Sequence, residues 1–152
     1  MQWLEHRLPP PVVGLLCGWG MWLAAPGWSW DSVGMLRGSA AVALLLAGLA
    51  LDALGLLAFR RARTTFNPLQ PQRTSSLVVS GVYRVTRNPM YLGMALQLSG
   101  WALVLGSLPA WGGPLLFVGF ITRFQIVPEE RVMAAKFGPA FTAYCTQVRR
   151  WL

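Results

Sequence analysis

Apolar and polar positions along this chain separate into long blocks instead of alternating. Four apolar runs cover 8–25, 38–59, 89–106 and 110–127. Each approaches the ~20 residues an α-helix needs to cross a bilayer. Period-two alternation, the mark of a half-buried strand, is missing, and no internal repeat is present. The pattern predicts an all-α fold: a polytopic membrane protein with about four transmembrane helices. A further helix is expected in the tail. From Glu129 onward, Phe137, Phe141, Tyr144, Val148 and Trp151 recur at steps of four, three, four and three. That stripe, with Lys136, Arg149 and Arg150 off it, reads as a C-terminal interfacial amphipathic helix, broken or kinked at Gly138-Pro139.

Composition agrees. Of 152 residues, 55% are hydrophobic and only 12% charged, and the charged share is about half that of an ordinary soluble domain. The length suits one membrane domain, 1–152. Within it, 1–59 reads as a scaffold hairpin of the first two spans. The remainder, 60–152, holds a long loop, a second hairpin and the tail. In the first part, Gly14 with Gly18 and Gly34 with Gly38 form G-x-x-x-G spacings suited to close helix packing. Asp52, inside the second run, is expected to be buried and paired with an arginine of the loop.

The net charge of +8 would suit a nucleic-acid binder, but its distribution does not. Twelve of the thirteen basic residues fall on one side if four spans leave both termini inside, Arg37 being the exception. This is the positive-inside pattern, and it accounts for the charge without nucleic acid. It predicts a multi-pass protein with both termini cytosolic, in the inner membrane if the source is a bacterium. The first run reads as a retained span and not a signal peptide, since Glu5 lies beside Arg7 and no clean cleavage site ends it. Cys17, Cys145 and His6 are too scattered for a disulfide framework or a metal site.

Candidate chemistry gathers in two clusters. Tyr83-Arg84-Val85-Thr86-Arg87-Asn88-Pro89-Met90-Tyr91 leads into the third run, and Arg123 with Pro128-Glu129-Glu130-Arg131 leaves the fourth. Each has a structural explanation: Asn88 is a strong N-cap with Pro89 in the first turn, and Pro128 with two acids resembles a helix start. The third and fourth runs form a hairpin, so both clusters emerge at the same membrane surface. Together they offer free helix N–H groups, two carboxylates, aromatic walls and a guanidinium fork, a set suited to a zwitterionic, nucleoside-bearing ligand.

Ser76-Leu77-Val78-Val79-Ser80-Gly81-Val82-Tyr83, then Arg87-Asn88-Pro89-Met90-Tyr91-Leu92-Gly93, resembles the isoprenylcysteine carboxyl methyltransferase and phospholipid methyltransferase superfamily. Glu129-Glu130, Phe137-Gly138, Tyr144 and Arg149-Arg150-Trp151 add to the likeness. It covers about half of the chain, from Thr64 to the end, and the first two runs carry none of it. The resemblance implies an integral membrane methyltransferase using S-adenosylmethionine as cofactor, without a Rossmann-type fold. It implies cofactor contacts from Ser75, Ser76, Leu77, Val78, Tyr83, Asn88, Pro89, Met90, Tyr91 and one or both of Glu129 and Glu130. Arg87 flanks that site, and Arg123 lies near the family's substrate-binding arginine. Asn88-Pro89 stands where eukaryotic isoprenylcysteine enzymes have His-Pro, which points away from a prenylated cysteine as acceptor.

The expected reaction is in-line displacement at an already activated methyl, with the protein supplying alignment. Arg123, Glu129 and Glu130 are the candidate catalytic residues, a glutamate acting as base only for a protonated amine or thiol acceptor. The expected partners are membrane lipids and a lipid-like or other hydrophobic acceptor, with no nucleic acid and no metal. Two other readings compete: an NADPH-dependent enzyme similar to sterol reductases, and a non-catalytic membrane module whose clusters are only caps.

Overall fold

The computed structural model describes residues 7–62 and 76–152. Regular structure among them is wholly helical: α1 (Pro10–Leu23), α2 (Met35–Arg61), α3 (Pro89–Leu105), α4 (Gly112–Ile121), α5 (Val127–Phe137) and α6 (Pro139–Gln147). Short 3-10 turns stand at Trp30–Ser32, Gly81–Arg84 and Leu108–Trp111, and a π-helical turn, Thr122–Ile126, joins α4 to α5. The four apolar runs thus fall on α1, α2, α3 and α4 with its π-turn. Two continuous helices, Met35–Arg61 and Leu108–Phe137, are long and apolar enough to cross a membrane; α1 and α3 are apolar but shorter.

Outward-facing side chains explain what solvent this bundle suits. Leu15 is 74% exposed, Leu46 60%, Leu115 74% and Leu116 70%, all on outward-facing sides of their helices. Contiguous apolar surface of this kind is costly in water and neutral in hydrocarbon.

Inside, small residues bring backbones together. Along α2, Ala41, Gly48 and Gly55 face Gly100, Gly93 and the Pro89-Met90 pair of α3 in antiparallel order. A Cβ placed on Gly48 would sit 2.6 Å from the Gly93 carbonyl oxygen, so any side chain there would part the helices. Gly14 and Gly18 of α1 likewise face Phe117 and Leu98, whereas Gly34 has open space around it and joins no helix contact. Val13, Met21, Tyr91, Leu98, Phe117, Ile121 and Ile126 form the core where α1, α3 and α4 meet.

Three expectations change here. Asp52 finds a hydrogen-bond donor in Gln97 of α3, at 2.7 Å, and in no arginine among the described residues; Arg63 and Arg73 of the loop lie outside them. Its place beside Gly93, mid-seam, keeps it within reach of α3. Pro128 does not start a helix: the chain runs without a break from α4 through the π-turn into α5. The Val127 N–H bonds back to the Thr122 carbonyl, five residues earlier, and that wider turn receives a proline inside a helix. The tail is helical and breaks at Gly138, where φ is +52°. Its stripe, however, turns inward, with Phe141, Tyr144 and Val148 buried against Leu77, Met133 and Phe137.

Arg37, the outlier in the charge pattern, also has a local explanation. Its Nη2 donates to the Val104 carbonyl at the C-terminal end of α3, where a cation complements the helix dipole. Gly106, at φ +60°, ends α3 beneath it; a Cβ there would strike the guanidinium.

Candidate functional site

The approach to α3 is built before the helix begins. Gly81, at φ +62°, allows the tight turn that buries Tyr83. The Tyr83 ring meets Phe59 edge-on at 5.5 Å, and its carbonyl accepts a 2.6 Å hydrogen bond from the Tyr144 hydroxyl. Burial, with Tyr144 and Glu129 nearby, pushes the Tyr83 phenol well above its ordinary value. Burial likewise pushes Tyr144 up to about 12. Both tyrosines therefore stay protonated and act as walls and donors, not as bases.

Thr86 follows, fully buried, with Oγ1 accepting from the Asn88 N–H at 3.2 Å and donating to the Arg150 carbonyl at 3.3 Å. Asn88 occupies the N-cap position, but its side chain caps nothing. Its Nδ2 instead donates to the Arg150 carbonyl at 3.0 Å, drawn there by the extended C-terminal residues alongside. The Arg87 N–H donates to the Arg149 carbonyl at 3.0 Å, so three consecutive residues are tied to the tail.

The two adjacent glutamates have different partners. Glu130 is clamped: Arg87 Nη2 donates to Oε1 at 2.8 Å, Arg150 Nε to Oε1 at 3.0 Å and Arg150 Nη2 to Oε2 at 2.6 Å. The hydrogen bond to Glu130 raises the Arg150 pKa further. Glu129 accepts from the Tyr91 hydroxyl at 2.7 Å and from Gln125 Nε2 at 2.6 Å, both at Oε1. Neither bond uses Oε2. One carboxylate is thus neutralised by two guanidiniums, while the other, among the described residues, is bonded at one oxygen only.

Tyr83, Arg87, Asn88, Tyr91, Glu129 and Glu130, picked out from two distant stretches of sequence, come together at this junction. Other expected residues do not join it directly. Pro89 and Met90 pack on α2 at Gly55. Ser76 Oγ donates to the Ala62 carbonyl at 3.4 Å, Leu77 packs on the tail, and Val78 packs with Ala58 and Tyr83. Ser75 lies outside the described residues. Arg123 is exposed, its guanidinium 5.4 Å from the Phe124 ring centre. Gln125 is buried two residues on, and positions two apart do not share a helix face.

Thr86, Gln125 and Arg150 belong to the junction but do not stand out as site residues in sequence. Gln125 carried a signal, being a polar residue within an apolar run just four positions before Glu129. Among the described residues, no three of His, Cys, Asp and Glu gather as a metal site would require.

The sequence pattern of the phospholipid methyltransferase family matches residues 36–140. The chain belongs to the phospholipid methyltransferase family. The match runs from the first turn of α2 into α6, so it includes both Arg87–Tyr91 and Glu129-Glu130. It also corrects the extent of the likeness, which reaches back over α2 instead of beginning at Thr64. A Haemophilus influenzae protein described as "Uncharacterized protein" is 44% identical over 63 residues, covering 41% of this chain and all of the relative. No solved structure matches. Family and apolar helices together describe a membrane methyltransferase.

Proposed function

We propose that this methyltransferase is a multi-pass enzyme that moves a methyl group from S-adenosylmethionine to a lipid-like acceptor at the junction of α3, α5 and the C-terminal residues. The observation that carries the reading is the division of labour between Glu129 and Glu130. A carboxylate held at one oxygen by Tyr91 and Gln125, its other oxygen bonded to none of the described residues, sits beside a carboxylate whose two oxygens are both held by arginines.

Those residues fit the cofactor. Glu129 Oε2 suits its ammonium or ribose hydroxyls, and Asn88, with Nδ2 engaged by the tail, keeps Oδ1 as an acceptor. When bound, S-adenosylmethionine supplies a methyl already activated on sulfonium. The chain's own residues then bind, orient and exclude water: Tyr83 and Phe59 close one side, and Tyr91 fixes Glu129. For a protonated amine or thiol acceptor, Glu129 is the group able to take the proton; a carboxylate acceptor needs no base. The family supports a lipid-like acceptor. Arg60, Arg61, Arg84, Arg131, Lys136 and Arg149 are exposed, and the positive-inside rule sets their loops and tail, with the site, on the cytosolic face.

The test is calorimetry with S-adenosylhomocysteine in detergent. Removing a charge-assisted contact costs ~1.5–3 kcal/mol, so Glu129→Gln should weaken binding about 10- to 100-fold. Asn88→Ala should also weaken it, with the thermal midpoint retained. Wild-type affinity in both variants would refute the assignment.

A further inference from the structure

We propose that Arg150 is a positioning residue of this site, fixing Asn88 through its carbonyl and Glu130 through its guanidinium. The inference rests on the cofactor reading above. Arg150 lies beyond the stretch that the family pattern covers, yet it touches both halves of the junction.

The geometry is unusually complete for a residue near a chain end. The Arg150 carbonyl accepts from Asn88 Nδ2 at 3.0 Å and from Thr86 Oγ1 at 3.3 Å. Its guanidinium makes a two-pronged contact with Glu130, at 3.0 and 2.6 Å. On one side the Arg149 carbonyl takes the Arg87 N–H; on the other, Trp151 Nε1 donates to Thr122 Oγ1 at 3.2 Å. The last residues are therefore stitched to the loop before α3 and to the π-turn before α5.

Two consequences follow for a ligand. With Nδ2 committed to the Arg150 carbonyl, the Asn88 amide plane is set and Oδ1 is its acceptor, bonded to none of the described residues. With both Glu130 oxygens held, that carboxylate is withdrawn and Glu129 is the one that can serve a ligand. Without the Arg150 guanidinium, Glu130 keeps, among the described residues, the single bond from Arg87 at Oε1. Arg150 is also accessible: its side chain is 38% exposed against 12% for Arg87. An ion pair this exposed adds little to stability, so its effect should be read in binding more than in folding.

The experiment compares wild type, Arg150→Ala and Arg150→Lys in detergent, by thermal unfolding and by S-adenosylhomocysteine calorimetry. Arg150→Ala should weaken binding about tenfold or more, as loss of a charge-assisted contact does, with little change in midpoint. Arg150→Lys should recover only part, because an ammonium cannot span both carboxylate oxygens. Low-millimolar methylguanidinium should restore affinity to Arg150→Ala by filling the exposed gap. Unchanged affinity in Arg150→Ala overturns the inference and leaves the cofactor reading standing. Affinity and midpoint falling together, with no response to methylguanidinium, reduce Arg150 to a structural residue and also overturn it. If Arg150→Ala fails to fold, wild-type affinity in Arg150→Lys overturns it. Wild-type protein that binds no S-adenosylhomocysteine refutes both readings together.

Discussion

Gly93→Ala tests the seam that carries the site. A Cβ at Gly93 would strike Asp52 Oδ1 and lie 2.7 Å from the Gly48 carbonyl oxygen, well inside the 3.4 Å at which ordinary contact begins. The Gly48 oxygen belongs to a helix backbone and cannot swing aside, so α2 and α3 must separate. Overpacking of this kind costs ~1–3 kcal/mol. Displacing Asp52 from Gln97 adds about 1–3 kcal/mol by leaving a buried acceptor unpaired. Ala is favoured over Gly in a helix by about 1 kcal/mol, which offsets part. The net expectation is destabilisation by roughly 1–5 kcal/mol on those same figures. Gly119→Ala in α4 is the control, since nothing lies within 4 Å of its Cβ and only the helix gain applies. Thermal unfolding in detergent, followed by tryptophan fluorescence, should give Gly93→Ala the lower midpoint and Gly119→Ala a midpoint at or above wild type. Tyr91 lies two residues away on α3, so S-adenosylhomocysteine affinity should fall with Gly93→Ala as well. Equal midpoints for the two variants would refute the close crossing.

Gln97→Leu removes the donor to Asp52 and should destabilise by about 1–3 kcal/mol; the double variant with Asp52→Leu should recover part of that, and no recovery would count against the pair. Tyr144 supplies a pH test. Its folded pKa, about 12, lies above the ordinary 10, so the stability it adds is complete below pH 10 and is lost as pH rises through 12. The stability gap between wild type and Tyr144→Phe should therefore narrow across that interval. A constant gap would show that the Tyr144 hydroxyl does not hold the Tyr83 carbonyl as described.

What could be read from sequence depended on the range of the interaction involved. Each apolar run is long enough to specify a helix by itself, so the helical blocks and the break at Gly138-Pro139 were legible. The two clusters that meet at the junction, Arg87–Tyr91 and Glu129-Glu130, were legible as polar clusters because each is contiguous. Partners were not. Gln97 lies 45 residues from Asp52 and Arg150 lies 62 from Asn88, and nothing local to either pair announces the contact. Asn88 shows the hazard in the other direction. It has the chemistry of an N-cap and stands at that position, but the nearby tail offers its amide a carbonyl that the helix does not.

Pro128 misled for a related reason, and its true setting explains how one helix serves two environments. On α4 the buried line runs Phe117 to Ile121, one α-turn apart. Continued at the same step it would bury position 125 and turn 126 outward. The π-turn adds one residue to the circuit, and both Gln125 and Ile126 are buried, at 2% and 1% exposure. Ile126 then continues the apolar core while Gln125 reaches Glu129. An unbroken α-helix would have to give up one of these contacts. The proline that looks like a helix start thus follows the irregular turn that lets a core-forming helix also present a carboxylate to the site.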